Sequence, residues 1–225
     1  MAPRAVRLEW PRRVAAEYAV CLLAEDFAQR LTRFGAPAEL VQGALQMALD
    51  ELEHARLARQ VCDEAGVREP VAFDLDTYGV DAAPDPACHI AAVAVPNLCL
   101  GETLALRIVH RLRANATVGV ARGALDRVVA DEPRHAALGW TTLDWLLDLP
   151  DGRGVRESIE RELPRWAAAL RGSYAGAYVE PHLAALGPAD TAWGLASPEL
   201  HRAVFEETVE RDWAPRLARR GFALA

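Results

Sequence analysis

Apolar residues return every three or four positions along most of this 225-residue chain, a period that belongs to amphipathic α-helices rather than to strands. Pro11 opens the first such stretch, which runs through Glu17, Cys21, Phe27 and Leu31 to Gly35, a glycine placed where a helix stops. The link Gly35-Ala36-Pro37 is so short that a second helix, Pro37 to Ala65, must run antiparallel beside the first. Leu40, Ala44, Met47, Leu52 and Ala55 are among its expected inner positions, and Gly66 ends it.

Residues 67 to 87 hold Pro70, Gly79, Pro84 and Pro86 with no sustained period and read as a long crossover. A third helix is expected over about residues 89 to 114, bent or begun at Pro96, and a fourth from about Val118 to Leu147. Pro133 removes one backbone bond from the fourth, which predicts a kink beside Glu132. Val155 to Tyr178 and Ser197 to Arg219 read as further helices, the last with Ser197 as cap and Pro198 at its first position. The expected architecture is all-α and a single domain over 1–225, with a four-helix core at about 11–148 and a C-terminal helical extension at about 155–219.

Charge narrows the function classes. A net charge of −7 and a pI near 5.4 argue against a nucleic-acid partner, which needs a basic face. All 25 basic residues are Arg, a composition bias from which no function follows. Cys21, Cys62, Cys88 and Cys99 show no C-x-x-C spacing, so they build neither a zinc ribbon nor a rubredoxin-type site. The N-terminus has Arg4, Arg7, Arg12 and Arg13 but no apolar signal region, and no apolar run reaches the length of a membrane span. A cytoplasmic protein with reduced thiols and no membrane partner is expected.

The candidate chemistry lies in one repeated motif. Asp50-Glu51-Leu52-Glu53-His54-Ala55 recurs eighty-one residues later as Asp131-Glu132-Pro133-Arg134-His135-Ala136, each copy reading D-E-x-x-H-A. A Glu and a His three apart share one face of a helix and can touch a single point beside it. Glu17 and Glu102 add a carboxylate from each of the other two helices. Glu17 sits on a stripe with Val14, Cys21 and Ala24, and Glu102 on one with Leu98, Cys99 and Leu106. An ionised carboxylate on a buried stripe costs several kcal/mol unless it is paired or binds a metal. Glu17 to Glu51 spans 34 residues and Glu102 to Glu132 spans 30, so the two halves look like copies of one helical hairpin.

This set resembles the ferritin-like di-iron carboxylate proteins, with one Glu from each of two helices and Glu-x-x-His from each of the other two. The resemblance covers roughly residues 11 to 148 and implies a ferritin-like antiparallel four-helix bundle with a long crossover between its second and third helices. A closer likeness is to small bacterial ferritin-like domain proteins with a Gly-Ala-Pro linker and a D-E-x-R-H-A motif; Pro133 departs from the commoner Ala there. Carried over, Glu51 and Glu132 would bridge two metals, Glu17 and His54 completing one and Glu102 and His135 the other. Asp50 and Asp131 would each accept the N–H of a ligand His from the opposite helix.

Such carboxylate-rich sites suit iron or manganese, including a mixed pair, rather than structural zinc. Two ions about 3.5–4 Å apart offer redox chemistry with O₂. The expected activity is an O₂-activating di-iron oxidase or oxygenase acting on a small organic molecule, with Ala58, Gly101 and Gly139 leaving room for it and the C-terminal helices covering the pocket. The alternatives are a ferroxidase or iron-handling protein, and a redox-inert, partner-binding bundle whose acids pair with Arg. An external electron donor and a homodimer remain open as partners. Ala58 and Gly139 follow the motif histidines by four residues, so the radical-storing Tyr of the ribonucleotide reductase small subunit is missing. Cys21 and Cys99, each one turn from a candidate Glu, are more simply core residues. So are His89, His110, His182 and His201 simply core or surface histidines, since none has a partner at metal-ligand spacing.

Overall fold

Two glycines terminate the first pair of helices. Gly35 and Gly66 take φ of 78° and 84°, the left-handed conformation in which a side chain is strained, and their N–H groups close the preceding turns. The computed structural model describes residues 1–68, 85–175 and 181–224. Among them all regular structure is helical: α1 (Arg4–Phe34), α2 (Ala38–Ala65), α3 (Pro86–Asn115), α4 (Gly119–Leu147), α5 (Gly152–Ala175), the one-turn α6 (Pro188–Thr191) and α7 (198–218). Most of the expected crossover at 67–87 lies outside the described residues.

The boundaries differ from expectation where burial outweighs a local signal. α1 begins at Arg4, not at Pro11, which lies inside it. Proline costs the helix one hydrogen bond, but the extra turns bury Ala5, Val6 and Trp10, and the Trp10 indole donates to the Trp193 carbonyl at 3.1 Å. In α2, Leu40, Ala44, Met47 and Ala55 are buried as expected, whereas Leu52 is 42 % exposed. Glu51, His54 and Ala55 take the inward face, and Leu52, one residue on from Glu51, is turned about 100° from it.

α3 is one helix of 30 residues, long and apolar enough by composition to cross a membrane, which corrects the reading that no run reaches that length. In this fold it is a core helix: 56 % of its most apolar window is buried against protein. Its segment Ala94–Glu102 is a π-helix with Pro96 inside it. A π turn closes i→i+5 and takes in an extra residue. Cys99, three before Glu102, therefore no longer shares its face, and the stripe expected through Leu98, Cys99 and Leu106 is replaced by Glu102, Ala105 and Val109, which line one cavity.

α1 packs on α2, α2 on α4 and α4 on α3, with buried side chains from α1 through α5 and α7 forming one continuous core. α3 and α4 touch backbone to backbone at one glycine. A Cβ on Gly139 would meet the Cβ of Leu98 at 2.6 Å and the backbone N of Cys99 at 2.7 Å. The Trp140 indole donates to Thr103, whose hydroxyl donates to the Cys99 carbonyl, holding the π segment against α4. α7 and the residues just after it brace both helices: Trp213 donates to the Leu100 carbonyl of the π segment at 3.2 Å, Asp212 pairs with Arg107 of α3, and Arg220 holds Asp144 of α4 with two bonds. Arg107 and Arg111 thus serve α7, Arg111 reaching Glu207 at 2.8 Å.

Candidate metal centre

The inward faces of α1 to α4 bring all six candidate residues together. Ligand atoms of Glu51, Glu102, Glu132 and His135 lie within 4.8 Å of one another, and those of Glu17, Glu51 and His54 form a second such group, so Glu51 belongs to both. Glu51, His54, Glu102, Glu132 and His135 are buried and Glu17 is half-buried. Glu102 ends the π segment, a helix irregularity frequent at functional sites. α4 continues through Pro133, which stands beside Glu132.

Each imidazole is held between two carboxylates. His54 places Nδ1 3.2 Å from Glu51 and Nε2 3.1 Å from Asp131 of the opposite helix. His135 places Nε2 3.2 Å from Asp50 and Nδ1 3.1 Å from Glu51. The two aspartates are thus the crossed partners of the two histidines. Sequence reasoning missed what anchors them: Arg127 pairs with Asp131 and reaches Asp50 at 3.4 Å, and Arg134 lies 2.6 Å from Asp131 and 3.0 Å from Asp50. Gln46 adds a bond to Asp50 at 3.0 Å. The positions of Arg127 and Arg134, four before and three after Asp131, were a visible signal for the pairs within α4. Arg127 and Arg134 therefore neutralise the aspartates, on the outer side of the histidines. Asp131→Asn would free the His54 tautomer, and metal affinity is expected to fall roughly 10–100-fold, checked by competition against a chelator dye.

Electrostatics within the cluster is unbalanced. Burial would raise Glu51, but the close His135 and His54 outweigh it and hold Glu51 at about 2. Burial, then the charge of Glu51, lifts Glu102 to about 7 and Glu17 well above the usual range. Glu132 is likewise lifted by burial and then by Glu102. Glu132 Oε2 is buried without a hydrogen-bond partner among the described residues, and 4.0 Å from it stands the buried His135 Nδ1, which is itself 3.1 Å from Glu51. A buried carboxylate oxygen left unpaired, beside carboxylates that repel each other, is costly unless a cation joins them. The residues present therefore fit a bound metal.

The raised glutamates set a pH dependence. The folded, metal-free protein holds protons that the unfolded chain releases near pH 4.3, so its stability should fall as pH rises from there through Glu102 at about 7. Glu51, Asp50 and Asp131 are held low and act with the opposite sign only in the acid range. Denaturant midpoints of chelated protein should decline between about pH 5 and 7.5, while the stabilisation by added Mn(II) grows as metal displaces those protons. A midpoint that climbs toward neutrality would contradict this.

Two cavities reach the cluster. One of about 370 Å³ touches Glu17, Glu51, Glu102 and Glu132 and is walled by Gly101, Ala105 and Leu170. The other, about 230 Å³, touches Glu17 and His54 and is walled by Trp10, Ala58 and Leu125. Glu17, Ala105, Val109, Val128 and Tyr174 line both. Ala58 and Gly101 therefore border open space, but Gly139 does not: it is where α3 and α4 touch. The thiols lie elsewhere. Cys99 is buried, its backbone N beside Gly139, and Cys21 is 3.9 Å from Glu25, its pKa pushed up to about 11 chiefly by burial. All four cysteines are free.

No family model matches this chain, and neither do curated proteins or solved structures.

Proposed function

We propose that this protein is a ferritin-like O₂-activating oxidase or oxygenase with two iron ions, or manganese in their place, acting on a small organic molecule. The observation that carries the reading is the pairing of a Glu₄His₂ cluster with mostly apolar cavities that end on it. Oxygen-rich donor sets of this kind favour Fe(II) or Mn(II), and a bound pair would supply electrons for reducing O₂. Glu51, common to both groups, and Glu132 would be the shared ligands; Glu17 with His54 and Glu102 with His135 would complete each side.

The chain's own groups do the rest. Asp50 and Asp131 fix the tautomers of His135 and His54, so that each Nδ1 faces the cluster. Ala105, Val109 and Val128 give a low-polarity wall that suits a hydrocarbon body. α5 and α7, through Leu170 and His201, close cavity walls that the four-helix core leaves incomplete. These apolar walls favour an organic substrate over Fe(II) as the molecule oxidised.

The test is anaerobic loading of the purified protein with Fe(II), metal analysis, then exposure to O₂ with product analysis. About two metals per chain and O₂ uptake that rises with an added apolar compound are expected. Metal-free protein after loading defeats the reading in favour of a structural bundle. Uptake that only converts Fe(II) to Fe(III) supports a ferroxidase instead.

A further inference from the structure

The smaller cavity holds a cation that the metal cluster does not use. Arg13 lies one turn before Glu17 on α1 and lines this cavity. Its guanidinium is fixed from two sides: Nη2 donates to the Gly194 carbonyl at 2.7 Å, and the group stands 4.5 Å from the centroid of the Trp10 ring. Nη1 is buried and has no hydrogen-bond partner among the described residues. Leaving the N–H groups of a buried charged nitrogen unmet is costly, so the arrangement suits an acceptor that arrives with a ligand. The acids close by are engaged. Glu9 binds His182 at 2.9 Å, and Glu17 is hydrogen-bonded to Glu51 in the cluster.

Away from Arg13 the walls turn apolar, with Ala105, Ile108, Leu125 and Val128, until the cavity reaches Glu17 and His54. Arg13 and Glu17 are four residues apart on one helix, on the order of 6 Å along its axis. We propose that Arg13 binds the carboxylate of an apolar monocarboxylic acid and so presents a carbon a few atoms farther along the molecule to the Glu17–His54 side of the cluster. This rests on the reading of the cluster as an oxidation centre. The planar guanidinium fork matches a carboxylate. Glu9 acts on Arg13 through its charge and disfavours a ligand carrying a second negative charge, such as a phosphate monoester.

Binding of octanoate, octanamide and inorganic phosphate to the full-length protein, by calorimetry alongside metal analysis, tests the proposal. Octanoate should bind roughly ten- to hundredfold more tightly than octanamide. Arg13→Met should abolish that preference and Arg13→Lys should keep part of it, with helical circular dichroism retained. Because Arg13→Met also removes the tie to Gly194, Ala105→Leu gives a second arm: it fills the cavity, leaves Arg13 in place, and should weaken octanoate binding at least about tenfold. Equal affinity for acid and amide, or a preference that survives Arg13→Met, overturns the proposal; phosphate that displaces octanoate overturns the monoanion. A protein that takes up no metal yet keeps the Arg13-dependent preference refutes the oxidase and leaves this pocket standing. Two metals without the preference does the reverse.

Discussion

Glu51→Ala will remove tight metal binding from both halves of the cluster, whereas Glu17→Ala will remove it from one. Among the described residues Glu51 alone is common to the two ligand groups, and the two motif histidines hold it anionic, at about 2. Without it the buried imidazoles lose their shared counter-charge, and each group loses a ligand. The loss in affinity should exceed the roughly 10–100-fold that follows from disturbing an outer partner such as Asp131. Metal analysis after anaerobic loading and desalting reads this directly: about two equivalents for the parent, near zero for Glu51→Ala and about one for Glu17→Ala. Retention of both metals by Glu51→Ala would show that the ions sit elsewhere.

Gly139→Ala should be strongly destabilising for a change of one methyl group. The added Cβ would lie 2.6 Å from the Leu98 Cβ and 2.7 Å from both the Leu98 carbonyl carbon and the Cys99 nitrogen, and two of these are backbone atoms that no rotamer change can move. Relief requires pushing α3 away from α4. The cost should lie at or above the upper end of the usual 1–3 kcal/mol for overpacking, a fall in Tm of roughly 6–12 °C for a chain of this size. The displaced segment is the π turn that ends on Glu102, so metal affinity should fall with stability. Gly43→Ala is the control: its Cβ would meet only the Leu138 side chain, at 2.8 Å from Cδ1, which can rotate aside. If the two variants melt alike, the close approach of α3 and α4 is not as tight as the structure has it.

These two residues show where reading a sequence reaches and where it stops. Glu51 was legible because its chemistry is local: Glu and His three apart share a helix face whatever surrounds them, and two copies of the pattern invite a common centre. Gly139 was not. A glycine four residues after His135 reads equally well as space for a substrate, and only the position of α3 makes it a contact between backbones.

The glycine-capped helix ends, the all-helical class and the composition of the motif were determined by the chain alone, since caps, period and i,i+3 spacing act within a turn or two. Glycines at 35 and 66 and Ser197 before Pro198 ended or began helices where expected. Packing decided the rest, because those contacts join residues far apart in sequence. The crossing of Asp50 to His135 and of Asp131 to His54 was implied by the resemblance, whereas the Arg134 tie to Asp50, the π turn that sets Glu102 apart from Cys99, and the Arg13 bond to Gly194 have no local signature. Each exists only once burial has chosen which helices touch, and that choice is a sum over many side chains that no single motif encodes.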